Sequence, residues 1–157
     1  VLHPGPGRSP FAGARALVTG GLGFIGSNLA IALAEQGAEV TIVDALLPGY
    51  GGNLFNIEPV RSRVRLNVCD IRDANAMNYV VDGQDFVFHL AGQVDHILSL
   101  TDPFPDIDIN IKGTAVLMEA LKHHNPRARV VHSGTRGEYG PAGSLPVSET
   151  APTHPKG

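Results

Sequence analysis

The chain has 157 residues, 43% of them hydrophobic, which is the length of one domain with enough apolar side chain for a sizeable core. Twelve Lys and Arg against fifteen Asp and Glu give a net charge of −3 with no long run of either sign, which argues against a nucleic-acid partner held by phosphate neutralisation. No apolar run reaches the roughly 18–20 residues of a membrane span, no signal-peptide core follows the N-terminus, and the single cysteine, Cys69, can form no intrachain disulfide; a reducing cytoplasm and no membrane partner are expected.

The first fourteen residues, beginning "VLHPGPGRSP", are rich in Pro and Gly and read as a flexible leader. Runs of strand length then fall at residues 15–19, 39–44, 64–70, 85–91 and 129–133. After the first, Ile25, Leu29 and Leu33 recur at i, i+4 and i+8, the spacing of one helix face, and Gly37 is placed to end that helix in the left-handed conformation. A shorter helix is predicted over 73–81. Ile107, Ile111, Leu117 and Leu121 mark one face of a later helix, preceded by Pro103 and Pro105 and stopped before Pro126. Strands such as "VTIV" and "FVFHLA" are apolar without alternation, as when helices cover both faces, so the pattern predicts an α/β domain with a parallel, doubly wound sheet. The closing "ETAPTHPKG" is a Pro-rich loop that leads into no further element and reads as a cut within a longer fold.

The densest signal is "ALVTGGLGFIGSNLA", with four glycines in residues 20–26 between the first strand and the first helix. A G-x-G-x-x-G pattern carries weight only in such a context. An early glycine permits a tight turn, the next lets backbone N–H groups approach a pyrophosphate, and Gly26 lets helix and strand pack closely. The unpaired N–H groups around Phe24, Ile25 and Gly26, with the positive end of the helix dipole, then face the phosphates, and no acid stands in that first turn. An ordinary glycine-rich turn is the competing reading. Asp44 closes the second strand eighteen residues after Gly26, where a carboxylate accepts both ribose hydroxyls of an adenosine; alternatively it only opens the turn toward Pro48 and Gly49. A 2′-phosphate there would meet a like charge, and no arginine follows within ten residues, so NAD is favoured over NADP. Asp70 either hydrogen-bonds the adenine amine or caps the helix that follows Asp73.

Taken together, these segments resemble the extended short-chain dehydrogenases/reductases, specifically the NAD-dependent sugar-nucleotide epimerase/dehydratase group, over nearly everything but the leader. "VTGGLGFIGSNLA" is similar to the T-G-G-x-G-F-I-G fingerprint, with Gly20, Gly23 and Gly26 as its glycines. "CDIRD" resembles the adenine-contacting D-[IV]-R-D at Asp70 and Ile71. "VFHLAGQVD" resembles the H-x-A-[AG] motif, which implies cofactor-bordering roles for Leu90, Ala91, Gly92 and Gln93. The segment "DPFPDIDINIKGTAVLMEA" resembles the helix that brings Asn110 and Thr114 to the active-site side, and "VVHSGTRGEYG" the fifth-strand motif containing Ser133 and ending in Tyr-Gly. The resemblance implies a Rossmann-type sheet of order 3-2-1-4-5 over residues 15–157, short of its last strands and of the C-terminal substrate subdomain. It also implies NAD as cofactor, a nucleotide-sugar substrate and a homodimer.

In that family the catalytic Ser or Thr stands four residues before the Tyr-Gly tyrosine, which gives Thr135 here. The catalytic tyrosine and lysine belong to a later Y-x-x-x-K helix. None of Tyr50, Tyr79 and Tyr139 has a lysine four residues on, so the chain alone is expected to be inactive. Family 4,6-dehydratases place an acid close after the Thr. Here Arg136 and Gly137 intervene before Glu138, one position late and aimed to the other face if the stretch stays extended. This favours epimerisation over dehydration; a non-catalytic NAD-binding module is the alternative from another class. The seven histidines suggest no metal site. His123 and His124 sit at a helix C-terminus, His89 reads as a hydrogen-bonded core residue, and Cys69 as a small buried hydrophobe. His132, Ser133 and Glu138 contain the residue types of a hydrolytic triad, but not on a strand–turn–helix elbow.

Overall fold

The computed structural model describes residues 9–141, 143 and 145–156. Five strands, β1 (Arg15–Thr19), β2 (Glu39–Asp44), β3 (Val64–Val68), β4 (Phe86–His89) and β5 (Arg129–His132), pair in parallel throughout, in the order β3-β2-β1-β4-β5. The first two strands span the predicted residues. The other three end sooner than the apolar runs, because Cys69, Asp70, Leu90, Ala91 and Ser133 leave the ladders to form loops at the carboxyl edge of the sheet.

The unbroken apolar runs are explained by two cores. Alternate residues Ala16 and Val18 of β1, with Val40, Ile42 and Phe88, face α1 (Phe24–Glu35), meeting Ala30 and Leu33, and a 3-10 segment (Leu54–Val60) that contributes Ile57 and Val60. On the other face Leu17, Val43 and Val87 meet Met77 and Val80 of α2 (Ala74–Val80), with Leu117 and Leu121 from the C-terminal helix. The leader assignment needs correction. Residues 9–14 fold onto the sheet, Phe11 packing edge-on against Phe86 at 5.2 Å and Ala14 entering the interior, since an aromatic side chain beside an open sheet face is better buried than hydrated. Residues 1–8 of that stretch lie outside the described residues.

Two helix faces differ from the spacing argument. In α1 the buried stripe is Gly26, Ser27, Ala30, Leu33 and Ala34, while Ile25 is 62% exposed at the helix entrance. Gly37, at φ +86°, ends the helix as expected. After α3 (His96–Thr101), the chain runs through α4 (Phe104–Asp106), a π-helical stretch (Ile107–Gly113) and α5 (Thr114–His124). The wider π turns shift the phase, so Ile109 and Gly113 turn inward while Ile107 and Ile111 stay exposed. Gly113 is held there by Ile71, whose Cδ1 lies 2.5 Å from where a β-carbon would stand.

Leu33 is 1% exposed between α1 and the sheet. Leu33→Ala is expected to cost about 2–5 kcal/mol of unfolding free energy, read from the urea midpoint at unchanged slope.

Candidate cofactor site

The chain crosses to opposite sides of the sheet after β1 and after β4, and a crevice opens outside the carboxyl ends of these neighbouring strands. It encloses about 700 Å³ and is lined by every residue expected to border the cofactor and by Thr135. Gly20, Gly23, Phe24, Ile25 and Gly26 form one wall, Asp44 and then Asp70 and Ile71 one end. Leu90, Ala91, Gly92 and Gln93 form the floor with Asn110; Ser133 and Thr135 close the far end.

The glycine turn is shaped by three close approaches. Gly20 sits at φ +67°, and a β-carbon there would come within 2.7 Å of the Ala91 nitrogen. One on Gly26 would overlap the Gly20 carbonyl oxygen, so α1 starts directly against the end of β1. Gly21, given no role from the sequence, lies against Ile42, 2.6 Å from its would-be β-carbon to Cγ2. Gly23 is the N-cap, with no side-chain cap and no acid in the first turn, so the opening N–H groups of α1 are left for a ligand.

Asp44 lines the crevice and makes the turn contacts of its second reading. Its Oδ2 accepts from the Leu22 amide at 3.0 Å and its Oδ1 from the Leu46 amide at 2.9 Å, tying the glycine turn to the end of β2. The cap reading for Asp70 is corrected. Asp73 caps α2, accepting from the amides of Asn75 and Ala76, because its carboxylate stands directly before the first helical turn. Asp70 instead accepts from Arg72 Nε at 2.9 Å and Nη2 at 2.6 Å, which holds its carboxyl below the usual carboxylate range. Arg72 also lies 4.0 Å from Asp108 of the π-helical stretch. Cys69 is half-buried and lines the crevice rather than being an interior hydrophobe; burial, with Asp73 and Asp70 nearby, pushes its thiol up.

The floor is fixed by polar pairs. Asn110 Oδ1 accepts from the Gln93 amide at 2.8 Å and its Nδ2 donates to the Gln93 carbonyl at 3.0 Å, so one side chain holds both backbone groups. His89, 1% exposed, is the hydrogen-bonded core histidine expected, with Nδ1 2.8 Å from Thr19 Oγ1 and Nε2 2.9 Å from Thr114 Oγ1. Burial, then the neighbouring His132, lowers it from 6.5 to about 4. At the far end Thr135 caps a 3-10 turn (Arg136–Tyr139), its hydroxyl oxygen accepting from the Gly137 amide at 3.1 Å. This corrects the extended-strand premise used for Glu138. The turn winds the chain, and the Glu138 carboxylate folds back toward Gly134, 3.8 Å from where a β-carbon there would stand. Among the described residues no group of three or more His, Cys, Asp or Glu is placed to hold a metal ion.

Tyr50, Gly52, His96, Ser99, Asp106 and His132 also line the crevice. Only the Gly-rich "PGYGG" after Asp44 hinted at any of them; the rest are brought in by tertiary packing.

The chain matches known proteins in both sequence and fold. A dTDP-glucose 4,6-dehydratase of Mycolicibacterium smegmatis is 39% identical over 128 residues, covering 80% of this chain and 38% of the relative. A UDP-glucose 4-epimerase of the same organism is 36% identical over 143 residues, covering 90% and 45%. Among solved structures, a dTDP-glucose 4,6-dehydratase double mutant from Streptomyces venezuelae with NAD bound superposes with a TM-score of 0.78 at 33% identity, over 90% of this chain and 45% of that one. The Thermus thermophilus UDP-glucose 4-epimerase complex with NAD gives 0.75 at 32%, over the same shares. The chain therefore spans less than half the length of these relatives. The NAD dependent epimerase/dehydratase family model matches residues 16–157, from the first strand through the Thr135 loop, and the chain belongs to that family.

Proposed function

We propose that the crevice holds NAD for the oxidation and re-reduction of a nucleotide sugar, as the cofactor half of a 4-epimerase. The observation that carries the cofactor assignment is the Gly26 contact: with no β-carbon between helix and strand, α1 starts against the end of β1 and presents its uncapped amides at the crevice. In this reading the amides of Phe24 and Ile25 receive the diphosphate, Asp44 receives the adenosine ribose, and Asp70 with Ile71 borders the adenine. Leu90 to Gln93, Asn110 and Ser133 flank the remainder. NAD, when bound, supplies hydride acceptance and return. Thr135 is the residue for the sugar side: with its oxygen accepting from Gly137, its hydroxyl proton is free to donate to a sugar oxygen.

A 4,6-dehydratase is the second reading, supported by the 39% identity to one. Against it stands the sequence after Thr135, where Arg136 and Gly137 come before Glu138, one position later than the acid of the dehydratase pattern. We further propose that residues 1–157 lack turnover by themselves, because none of their tyrosines has a lysine four residues on to lower its pKa. The exposed Ile97, Leu100, Phe104, Ile107 and Ile111 support a homodimer through the α3–α5 face, and the free Cys69 is compatible with the cytoplasm as its compartment.

Calorimetry is expected to detect NAD binding and weaker NADP binding. Asp44→Ala should weaken NAD by about 10- to 100-fold and narrow the preference, the value of a charged hydrogen-bond acceptor. Gly26→Ala should abolish binding and lower the thermal midpoint, because the added carbon would collide with the Gly20 backbone; tighter binding of NADP than NAD would remove the Asp44 assignment. Purified 157-residue protein is expected to show no conversion of UDP-glucose or dTDP-glucose, and measurable turnover would refute the inactivity. In sedimentation, Leu100→Asp should weaken self-association of the wild type; a wild type monomeric at every concentration would count against the dimer.

A further inference from the structure

We infer that His89 is a positioning residue of the cofactor crevice, held as the neutral Nε2–H tautomer in a one-way chain of hydrogen bonds that fixes the Leu90–Ala91 floor. The inference rests on the cofactor reading for its consequence but not for its geometry.

The direction of every bond follows from counting protons. Thr114 Oγ1 lies 2.6 Å from the Asn110 carbonyl oxygen, which only accepts, so the single Thr114 hydroxyl proton is committed there. Toward His89 Nε2, at 2.9 Å, the Thr114 oxygen therefore accepts, and Nε2 carries the proton. Nδ1 is then bare and accepts from the Thr19 hydroxyl at 2.8 Å. With its proton spent, Thr19 Oγ1 offers its lone pairs to the amides of Leu90 at 3.2 Å and Ala91 at 3.3 Å. The other tautomer fails: Thr19 Oγ1 would face three donors, its own proton would lack this acceptor, and Nε2 would meet a hydroxyl already committed. An imidazolium fails similarly, because Nδ1–H cannot accept from Thr19.

The chain starts at the amides of the crevice floor, crosses beneath β1 and β4, and ends on the carbonyl of Asn110, whose side chain holds Gln93. Both ends thus belong to the same wall, and Thr19 and His89 are themselves buried behind it. Thr19 comes from β1, His89 from β4 and Thr114 from α5; the titratable group facing the imidazole from β5 is His132, its ring centroid 5.1 Å away, which opposes a second positive charge. Protonation of His89 would have to break the bond to Thr19 and disturb the oxygen that holds the Ala91 amide, while the Leu90 amide keeps the Thr19 carbonyl at 3.2 Å.

Long-range proton–nitrogen spectra of histidine-labelled wild-type protein test the chain without any ligand. His89 is expected as Nε2–H, with Nδ1 bare and no titration between pH 8 and pH 5; an Nδ1–H tautomer, or titration near 6.5, would overturn it. The folded pKa is depressed, so the unfolded chain binds the extra proton first. Stability contributed by neutral His89 is therefore present above pH 6.5 and lost as pH falls toward 4, a component His89→Leu should lack. The positioning role is read from NAD affinity, where Thr19→Val should weaken binding by about tenfold and Thr19→Ser restore it to within about threefold. Wild-type affinity in Thr19→Val, or no rescue by Ser, would overturn that role. Should wild-type protein bind no NAD, the cofactor reading falls, while the spectra still decide the tautomer.

Discussion

The site depends on the approach of Gly26 to the carbonyl of Gly20. A helix can begin against the end of a central strand only if nothing projects between them, and here even one carbon would collide. That contact fixes where α1 starts and therefore where its unpaired amides and positive dipole end are delivered. Leu22, buried inside the turn, is held by its amide to Asp44 and by its carbonyl to the Asn53 amide and the Asn56 side chain. The flexible-looking "GGLGFIG" is thus a rigid object, fastened to β2 and to the 3-10 segment beyond it.

The opposite wall is built on polar rather than apolar contacts. Where the strands end, side chains take over from the ladders: the Thr19 hydroxyl for Ala91, sharing Leu90 with the Thr19 carbonyl, and Asn110 for Gln93. Buried polar groups of this kind are tolerable only when each is paired. The pairing is also what gives the loops after β4 a single shape. Apolar packing beneath them, Leu17 and Val87 against Leu117, supplies cohesion but no orientation for peptide groups.

Much of this was legible in the sequence because it is local. The strand, the glycine turn and the first helix occupy adjacent residues, and each obeys a rule of spacing. The two central strands, buried on both faces, were read to the residue. What escaped was non-local. Ile25 fits the helical period yet is exposed at the helix entrance, because the period says nothing about where a helix meets its sheet. Ile107 and Ile111 fit it too, but the π turns rotate the phase so that Ile109 and Gly113 face inward. Asp70 and Asp73 are both plausible caps by composition; only geometry gives the cap to Asp73 and Arg72 to Asp70. The places of Ser99, Asp106 and His132 at the crevice required the fold itself: Ser99 stands in no motif, and the motifs around Asp106 and His132 pointed to Asn110, Thr114 and Ser133 instead.

The strands that bound the crevice differ in how readily they can open. β1 is flanked on both sides and almost wholly buried, whereas β5 pairs with β4 alone and all four of its residues are exposed. Local opening follows such differences, so amide exchange should be slowest at the base of the glycine turn and fastest along the segment leading to Ser133 and Thr135. Among the described residues, the crevice thus runs from a buried end at the glycine turn to an exposed end at Ser133 and Thr135.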